Sequence, residues 1–363
     1  MSARNRPDPP SSNRLPAAGQ GSGAEPSGPQ PAGRDGRPTL KTIAYMTGLG
    51  VTTVSKALND APDIGQSTKD RVRLVARQIG YRPNRAGVRL RTGKTNVISL
   101  ILSTETEALG LSSHIVHGIS ERLAASPYHL IVTPYARSRD PLDAVRYIVE
   151  TGSADGVIFS RTEPQDRRAL YLHEAGIPFA SHGRTELPFE HPFYDFDNAA
   201  YAELAVEGLA ARGRRTFALL PPSASLTYAK HTAAGFVRGL ERLDLTELPL
   251  HGVDVDSPPE ALHAEVMRLM SARRRPDALV CSSAASAVLA VSAAEDAGLV
   301  IGRDFDVATK ESFDLMRRFR PQIVVVREDF RAAGVGLANG VLGAIEGRPA
   351  EELQFIETPV RAE

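Results

Sequence analysis

Residues 39–96 carry 11 Lys and Arg against 3 Asp and Glu. Within them Val51, Thr52, Thr53, Ser55, Lys56 and Asn59 fall close together. An ammonium can donate to guanine O6 and N7, and the methyls of Val and Thr fit against a thymine methyl. Short hydroxyl and amide side chains bond phosphate oxygens. The chemistry on offer is nucleic-acid contact. The alternative reading of the charge run is a solvated helix face, and that of Thr53 and Ser55 is capping at a helix start. A second set lies at the ends of later apolar runs: Glu105, Tyr135, Arg161, His182, Tyr228, His231, Ser282, Lys310, Glu311 and Arg327. Tyr rings stack on sugar faces, while Lys, Glu and Arg bond hydroxyls or a carboxylate. Each has a plainer alternative: a satisfied loop histidine for His182, a surface ion pair for Lys310 and Glu311, a solvated side chain for Arg161.

Covalent and metal chemistry find no support. GxGxxG after a strand, GxxxxGK[ST], GxSxG and HExxH are all missing from the sequence. His114 and His117 are three residues apart, but no carboxylate or Cys completes a metal set. We therefore expect no enzyme, no cofactor and no metal.

The elements that must hold these residues follow from the pattern. Thr39 is placed to cap a helix from Leu40 to about Thr47, with Leu40, Ile43, Ala44 and either Met46 or Thr47 inward, and Gly48-Leu49-Gly50 breaks it. A second helix spans Val51 to Leu58. A third, from about Ser67 to Ile79, turns Val72, Val75, Ala76 and Ile79 to one face and Lys69, Arg71, Arg73 and Arg77 elsewhere, with Gly80 at its C-cap. This is the helix-turn-helix plan, whose second helix presents its first residues to the major groove: here Val51 and Thr52, with Lys56 one turn on. Residues 1–38, with 8 Pro and 6 Gly, cannot bury enough apolar surface to order themselves.

From Asn96 onward apolar runs alternate with helical stretches: strands at 97–102, 129–133, 156–160 and 178–181, then 216–220, 278–282, 305–309 and 323–327. Helices are expected at 112–126, 141–151, 166–176, 198–212, 231–243, 259–273, 283–297 and 329–346. Repeated β-α units make parallel sheets, and two successive sets predict two doubly wound lobes with a cleft between them. The expected organisation is a disordered tail (1–38), an all-α head (39–82), a linker (83–96) and a two-lobed α/β body (97–363).

Composition agrees. The chain has 363 residues and formal net charge zero, but the zero is a sum of +2 for 1–38, +8 for 39–96 and −10 for the rest. A basic block on an acidic body confines nucleic-acid contact to the block. One cysteine excludes a disulfide framework. No apolar run reaches the ~20 residues of a membrane span, and the N-terminus has no apolar signal core. A cytoplasmic protein with no membrane partner is expected.

The run Ile43-Ala44, Gly48, then Thr53-Val54-Ser55-Lys56-Ala57-Leu58-Asn59, followed by Thr68-Lys69-Asp70-Arg71-Val72 and Ile79-Gly80-Tyr81-Arg82-Pro83-Asn84, resembles the LacI/GalR family of bacterial transcriptional regulators in order and spacing. The resemblance extends at lower density over 97–363. It implies lobes of the periplasmic-binding-protein-like type, and a hinge helix over Asn84–Arg91 that enters the minor groove. Asn84 and Arg85 would contact DNA there and Leu90 would be the wedge. Gly87 stands where Ala is usual in the family, which makes that helix costlier to order. The resemblance also implies a homodimer on a pseudo-palindromic operator, and a small, sugar-like effector in the cleft. Of the candidates, Tyr135, Arg161, Tyr228, His231, Ser282, Lys310 and Glu311 are the expected effector contacts. Three positions depart from the family pattern: Thr232 stands for an arginine, Ser282-Ser283 for Asn-Asp, and Thr309-Lys310-Glu311-Ser312 for a GFDD-like turn. They imply a different ligand, or a sugar held by different groups. The function expected is an effector-controlled repressor. An activator or an effector-independent regulator is the alternative, and a stand-alone sugar-binding protein leaves 39–94 unexplained.

Overall fold

The computed structural model describes residues 37–82, 93–103, 111–312 and 315–361. The expectations for the tail, for Asn84, Arg85, Gly87 and Leu90 of the hinge, and for Glu105 fall outside these residues. The chain divides after Gly87 into two units.

The first unit contains three helices, α1 (Leu40–Thr47), α2 (Val51–Leu58) and α3 (Gln66–Gln78). Thr39 and Thr42 form a reciprocal capping box that starts α1. Gly48, at φ +69°, turns the chain into α2 through a conformation that a side chain would strain. Ile43, Val54, Ala57 and Val72 are fully buried and close the core. Of the two residues in question at the end of α1, Thr47 turns inward, its hydroxyl donating to the Ile43 carbonyl at 2.7 Å, and Met46 is exposed. One expectation is corrected. Lys69 does not lie on the outer face of α3 but is buried, with its ammonium 3.0 Å from the Asp60 carboxylate and 3.2 Å from the Asp60 carbonyl. Asp60 sits at φ +59° between α2 and α3 and also accepts from Arg73 at 2.9 Å. The turn needs that clamp, which draws Lys69 inward.

The second unit alternates strands and helices: β1 (Val97–Ser103), α4 (Leu111–Leu123), β2 (His129–Tyr135), α5 (Pro141–Thr151), β3 (Gly156–Ser160), α6 (Arg167–Glu174), β4 (Phe179–His182), β5 (Phe193–Phe196), α7 (Asn198–Ala210), β6 (Thr216–Leu220), α8 (Thr227–Arg242), β7 (Thr246–Glu247), α9 (Pro259–Met270), β8 (Ala278–Cys281), α10 (Ala284–Asp296), β9 (Asp306–Glu311), α11 (Met316–Phe319), β10 (Val324–Arg327), α12 (Phe330–Ile345), β11 (Gln354–Glu357) and β12 (Val360–Arg361). They form two six-stranded sheets, ordered β11-β5-β4-β3-β1-β2 and β12-β10-β9-β8-β6-β7. All neighbours pair in parallel except β10 with β12. The two doubly wound lobes expected from the sequence are present.

The chain passes between lobes at three places: after β5, after β10 and after β11. All three lie at the same edge of both sheets. Asp197 and Asp329 cap the helices that begin at two of the passages. Asp197 N–H donates to the Glu357 carbonyl at 2.9 Å, and Asp329 N–H to the Glu357 carboxylate at 2.8 Å.

The sequence pattern missed β5, β7, β11 and β12. Two of them are two residues long, β5 lies in a His- and Phe-rich run with no long apolar stretch, and β11 exposes Phe355 and Ile356 at a sheet edge. Helix α8 begins at Thr227, not 231, so Tyr228 and His231 both lie on it.

Helices α4 and α12 cross with backbones in contact. A Cβ at Gly118 would lie 2.1 Å from the Arg331 carbonyl oxygen, and one at Gly334 2.3 Å from that of Ile115. A backbone cannot yield as a side-chain tip does. Gly118→Ala is expected to destabilise the body by about 1–3 kcal/mol, the usual range for overpacking, measured as a lower midpoint in urea unfolding. An unchanged midpoint would show that the helices can separate freely.

Candidate functional site

In the head, α2 divides into two faces. Val54 and Ala57 are buried against α1 and α3, while Val51, Thr52, Lys56 and Asn59 are exposed and Thr53 and Ser55 half-buried. The helix starts at Val51 without a side-chain cap. Thr53 and Ser55 therefore do not serve as its N-cap. The Lys56 ammonium lies 2.5 Å from the Asp63 carboxylate, in a pair whose side chains are about half exposed. Hydrogen bonding to Lys56 holds Asp63 below the usual carboxylate range. Such an exposed pair is readily exchanged for another anion. The Asn59 side chain donates to the Ser55 carbonyl at 2.6 Å, finishing the helix. Tyr45 and Met46 on α1 are also exposed large side chains; Tyr45 lies off the inward face read from the sequence, and Met46 was the one of two candidates that turned outward.

In the body, the strand ends of the two lobes face each other. Lys310, at the end of β9, is the central charge. Its ammonium is 2.8 Å from Asn198 Oδ1 and 3.0 Å from Glu328 Oε2. It also lies 5.1 Å from the ring centre of Phe196, 5.2 Å from Tyr228 and 5.9 Å from Tyr201, within cation–π reach. The surface ion pair with Glu311 considered from the sequence is corrected: both residues are largely buried, and the partner of Lys310 is Glu328. Glu311 instead accepts from the Leu315 and Met316 N–H groups at 3.2 and 2.9 Å, capping α11. Ser282 is buried and donates to the Leu220 carbonyl at 2.8 Å. These two expected effector contacts are thus engaged in holding lobe 2 together.

Tyr228 closes the Lys310 chamber, and burial raises its hydroxyl pKa. His182, at the end of β4, packs against Tyr194 and Phe330, and burial pushes its pKa below the ordinary value. His231 sits 3.4 Å from an Arg184 nitrogen; burial, then the Arg184 charge, lowers its pKa. Arg184 in turn bonds Asp195 at 2.5 Å. Arg327 ends β10 with its side chain exposed.

Tyr135 and Arg161 lie at the other end of the cleft. They line a cavity of about 210 Å³ with Arg137, Leu142, Ser225 and Leu226. Burial opposes the charge on Arg161, but the Asp256 carboxylate outweighs it and raises the pKa. The structure therefore places Arg161, Tyr228, His231 and Lys310 around one cleft. The sequence reading missed Asn198 and Asp256, whose partners Lys310 and Arg161 lie 112 and 95 positions away, and Glu328 and Arg184, whose partners Lys310 and Asp195 lie on adjacent strands.

Residues 39–84 match the bacterial regulatory proteins of the lacI family, and residues 206–361 match the periplasmic binding protein-like domain. The transcriptional regulator AglR of Rhizobium meliloti is 32% identical over 339 residues, which cover 89% of this chain and 93% of AglR. RafR of Escherichia coli is 31% identical, covering 89% of this chain and 96% of RafR. The chain belongs to the LacI family. It is a transcriptional regulator with a helix-turn-helix head and an effector-binding body. The lac repressor dimer bound to operator and the anti-inducer ONPF shares the fold, with a TM-score of 0.77 at 22% identity over 90% of this chain and 98% of that one. The CelR–cellobiose complex shares it at a TM-score of 0.65, with 20% identity over 90% of this chain and 99% of that one. Among the described residues no helix is long and apolar enough to cross a membrane.

The buried Lys310–Glu328 pair yields a stability test for this LacI-family body. Removing one partner of a buried ion pair strands the other. Glu328→Ala is expected to cost about 3 kcal/mol, while Lys310→Met combined with Glu328→Gln recovers most of it. Equal losses in the single and double variants, by chemical denaturation, would show that the pair does not act as a unit.

Proposed function

We propose that this regulator is a homodimeric repressor whose α2 helices read the two halves of a pseudo-palindromic operator. The observation that carries this is the division of α2 into a face buried on Val54 and Ala57 and an open face of Val51, Thr52 and Lys56. In this reading Lys56 exchanges Asp63 for a guanine edge, Val51 and Thr52 meet bases, and Thr53, Ser55 and Asn59 set the register on phosphates. By the family resemblance, Asn84, Arg85 and Leu90 extend the contact into the minor groove.

The proposed effector is a sugar or sugar derivative in the cleft. Tyr228 offers an apolar ring face, and Lys310, Glu328, Asn198, Arg184 and His231 offer both donors and acceptors for hydroxyls. The likeness to CelR, whose structure is a complex with cellobiose, supports a saccharide. A second reading, regulation without an effector, draws on one observation: Lys310 is already satisfied by Asn198 and Glu328.

Two measurements test these proposals. Lys56→Ala is expected to weaken binding to an inverted-repeat operator by about 1–3 kcal/mol and to relax preference at one base-pair position. An equal loss on every sequence would confine Lys56 to phosphate. A melting screen with mono- and disaccharides should find one that adds about 2.7 kcal/mol of stability at 100 times its dissociation constant. No rise with any saccharide would favour the effector-independent reading.

A further inference from the structure

Asp256 belongs to lobe 2, in the loop between β7 and α9. Its carboxylate is taken by two arginines of lobe 1. Arg161, which follows β3, binds it with both terminal nitrogens, one of them at 3.2 Å to Oδ1. Arg137, which follows β2, approaches Oδ2 at 3.0 Å. The side chain of Asp256 is only 8% exposed, and those of Arg161 and Arg137 20% and 28%. Its loop is preset: Asp256 N–H donates to Asp254 Oδ1 at 2.8 Å, and Val255 N–H to the Pro221 carbonyl at 3.0 Å. Arg161 itself sits at φ +59°, a left-handed backbone uncommon for a side chain of its size. Beside this cluster, Thr227 N–H and Oγ1 both donate to the Thr162 carbonyl across the lobes, at 2.9 and 3.1 Å.

The position of the cluster gives it leverage. The three interlobe passages lie at the β11/β5 edge of one sheet and the β12/β10 edge of the other. Arg137 follows β2 and Asp256 follows β7, the strands at the opposite edges. A contact at the end remote from a hinge moves furthest when the hinge opens.

We propose that Asp256, held by Arg161 and Arg137, is a positioning residue that latches the two lobes at their observed separation. The latch thereby sets how readily the cleft opens to exchange its effector. This rests on the cleft being the regulatory site, but the latch can be read without any effector. Cys281 is fully buried, so cysteines introduced at the exposed Glu174 of lobe 1 and Glu260 of lobe 2 can carry a spin-label or dye pair in the full-length protein, mixed with excess unlabelled protein so that a dimer holds one labelled chain. The parent is expected to give one narrow distance distribution. Asp256→Asn should shift it to longer and broader distances, and the charge swap Asp256→Arg with Arg161→Asp should restore the narrow one. A distribution unchanged in Asp256→Asn would overturn the latch. So would a swap that stays as open as the single variant while retaining the parent's circular dichroism. Should Asp256→Asn fail to fold, Arg137→Gln, which leaves Arg161 on the carboxylate, must show partial broadening or the proposal fails. Because no sugar enters these measurements, failure of the saccharide screen leaves their outcome readable.

Discussion

The body depends on one constraint: the chain passes between its lobes three times, side by side. Parallel sheets put all their carboxyl ends on one side, and ligand sites form there. Two such sheets joined along a common edge must turn those ends toward each other, which creates the cleft. Glu357 organises the junction. Its carbonyl accepts from Asp197 N–H, and its carboxylate from Asp329 N–H and the Tyr194 hydroxyl. Burial, the largest influence, raises the Glu357 pKa. Since the side chains of Asp197 and Asp329 also cap α7 and α12, the hinge and the helix starts share these two residues.

Much of this was legible in the sequence wherever the cause is local. The capping box of Thr39, the left-handed Gly48 and the alternation of Val54 and Ala57 with Val51, Thr52 and Lys56 act within a few residues, so the head's helices emerge close to their true bounds. The strand runs Gly156–Ser160 and Thr216–Leu220 are buried on both faces, and that burial shows as continuous apolar sequence. The failures have equally definite causes. Strand β11 is short, and its two apolar residues, Phe355 and Ile356, are exposed at a sheet edge, so it carries no long apolar run. Lys69 looked like one more solvent-facing cation because its partner, Asp60, is set by a turn geometry that residue type alone does not reveal.

The cleft was legible as a list of candidates and not as an arrangement. Lys310 and Asn198 are 112 positions apart, and Arg161 and Asp256 are 95 apart. Nothing in the local pattern ties such residues together, because only the tertiary fold brings them into contact. The same reason explains why Ser282 and Glu311 were read as ligand contacts. They occupy strand ends, as contacts do, but one bonds a neighbouring strand and the other caps α11.

The cross-compensation of charge inside the cleft constrains how any ligand can act. Lys310 is matched by Glu328, Arg184 by Asp195, and Arg161 with Arg137 by Asp256. Charges buried without partners would be costly, so the protein keeps each one paired through its own side chains. An entering molecule cannot simply neutralise a charge; it must replace hydrogen bonds that already exist, at both a donor and an acceptor. A polyhydroxylated ring is suited to that exchange, because each hydroxyl both donates and accepts, while its apolar face can lie on Tyr228. A simple anion would satisfy Lys310 only by stranding Glu328. Whatever binds alters operator affinity only to the extent that it makes this exchange better in one lobe arrangement than in the other. The pairing inside the cleft is therefore part of the regulatory machinery, since it sets the interaction that the effector must outbid.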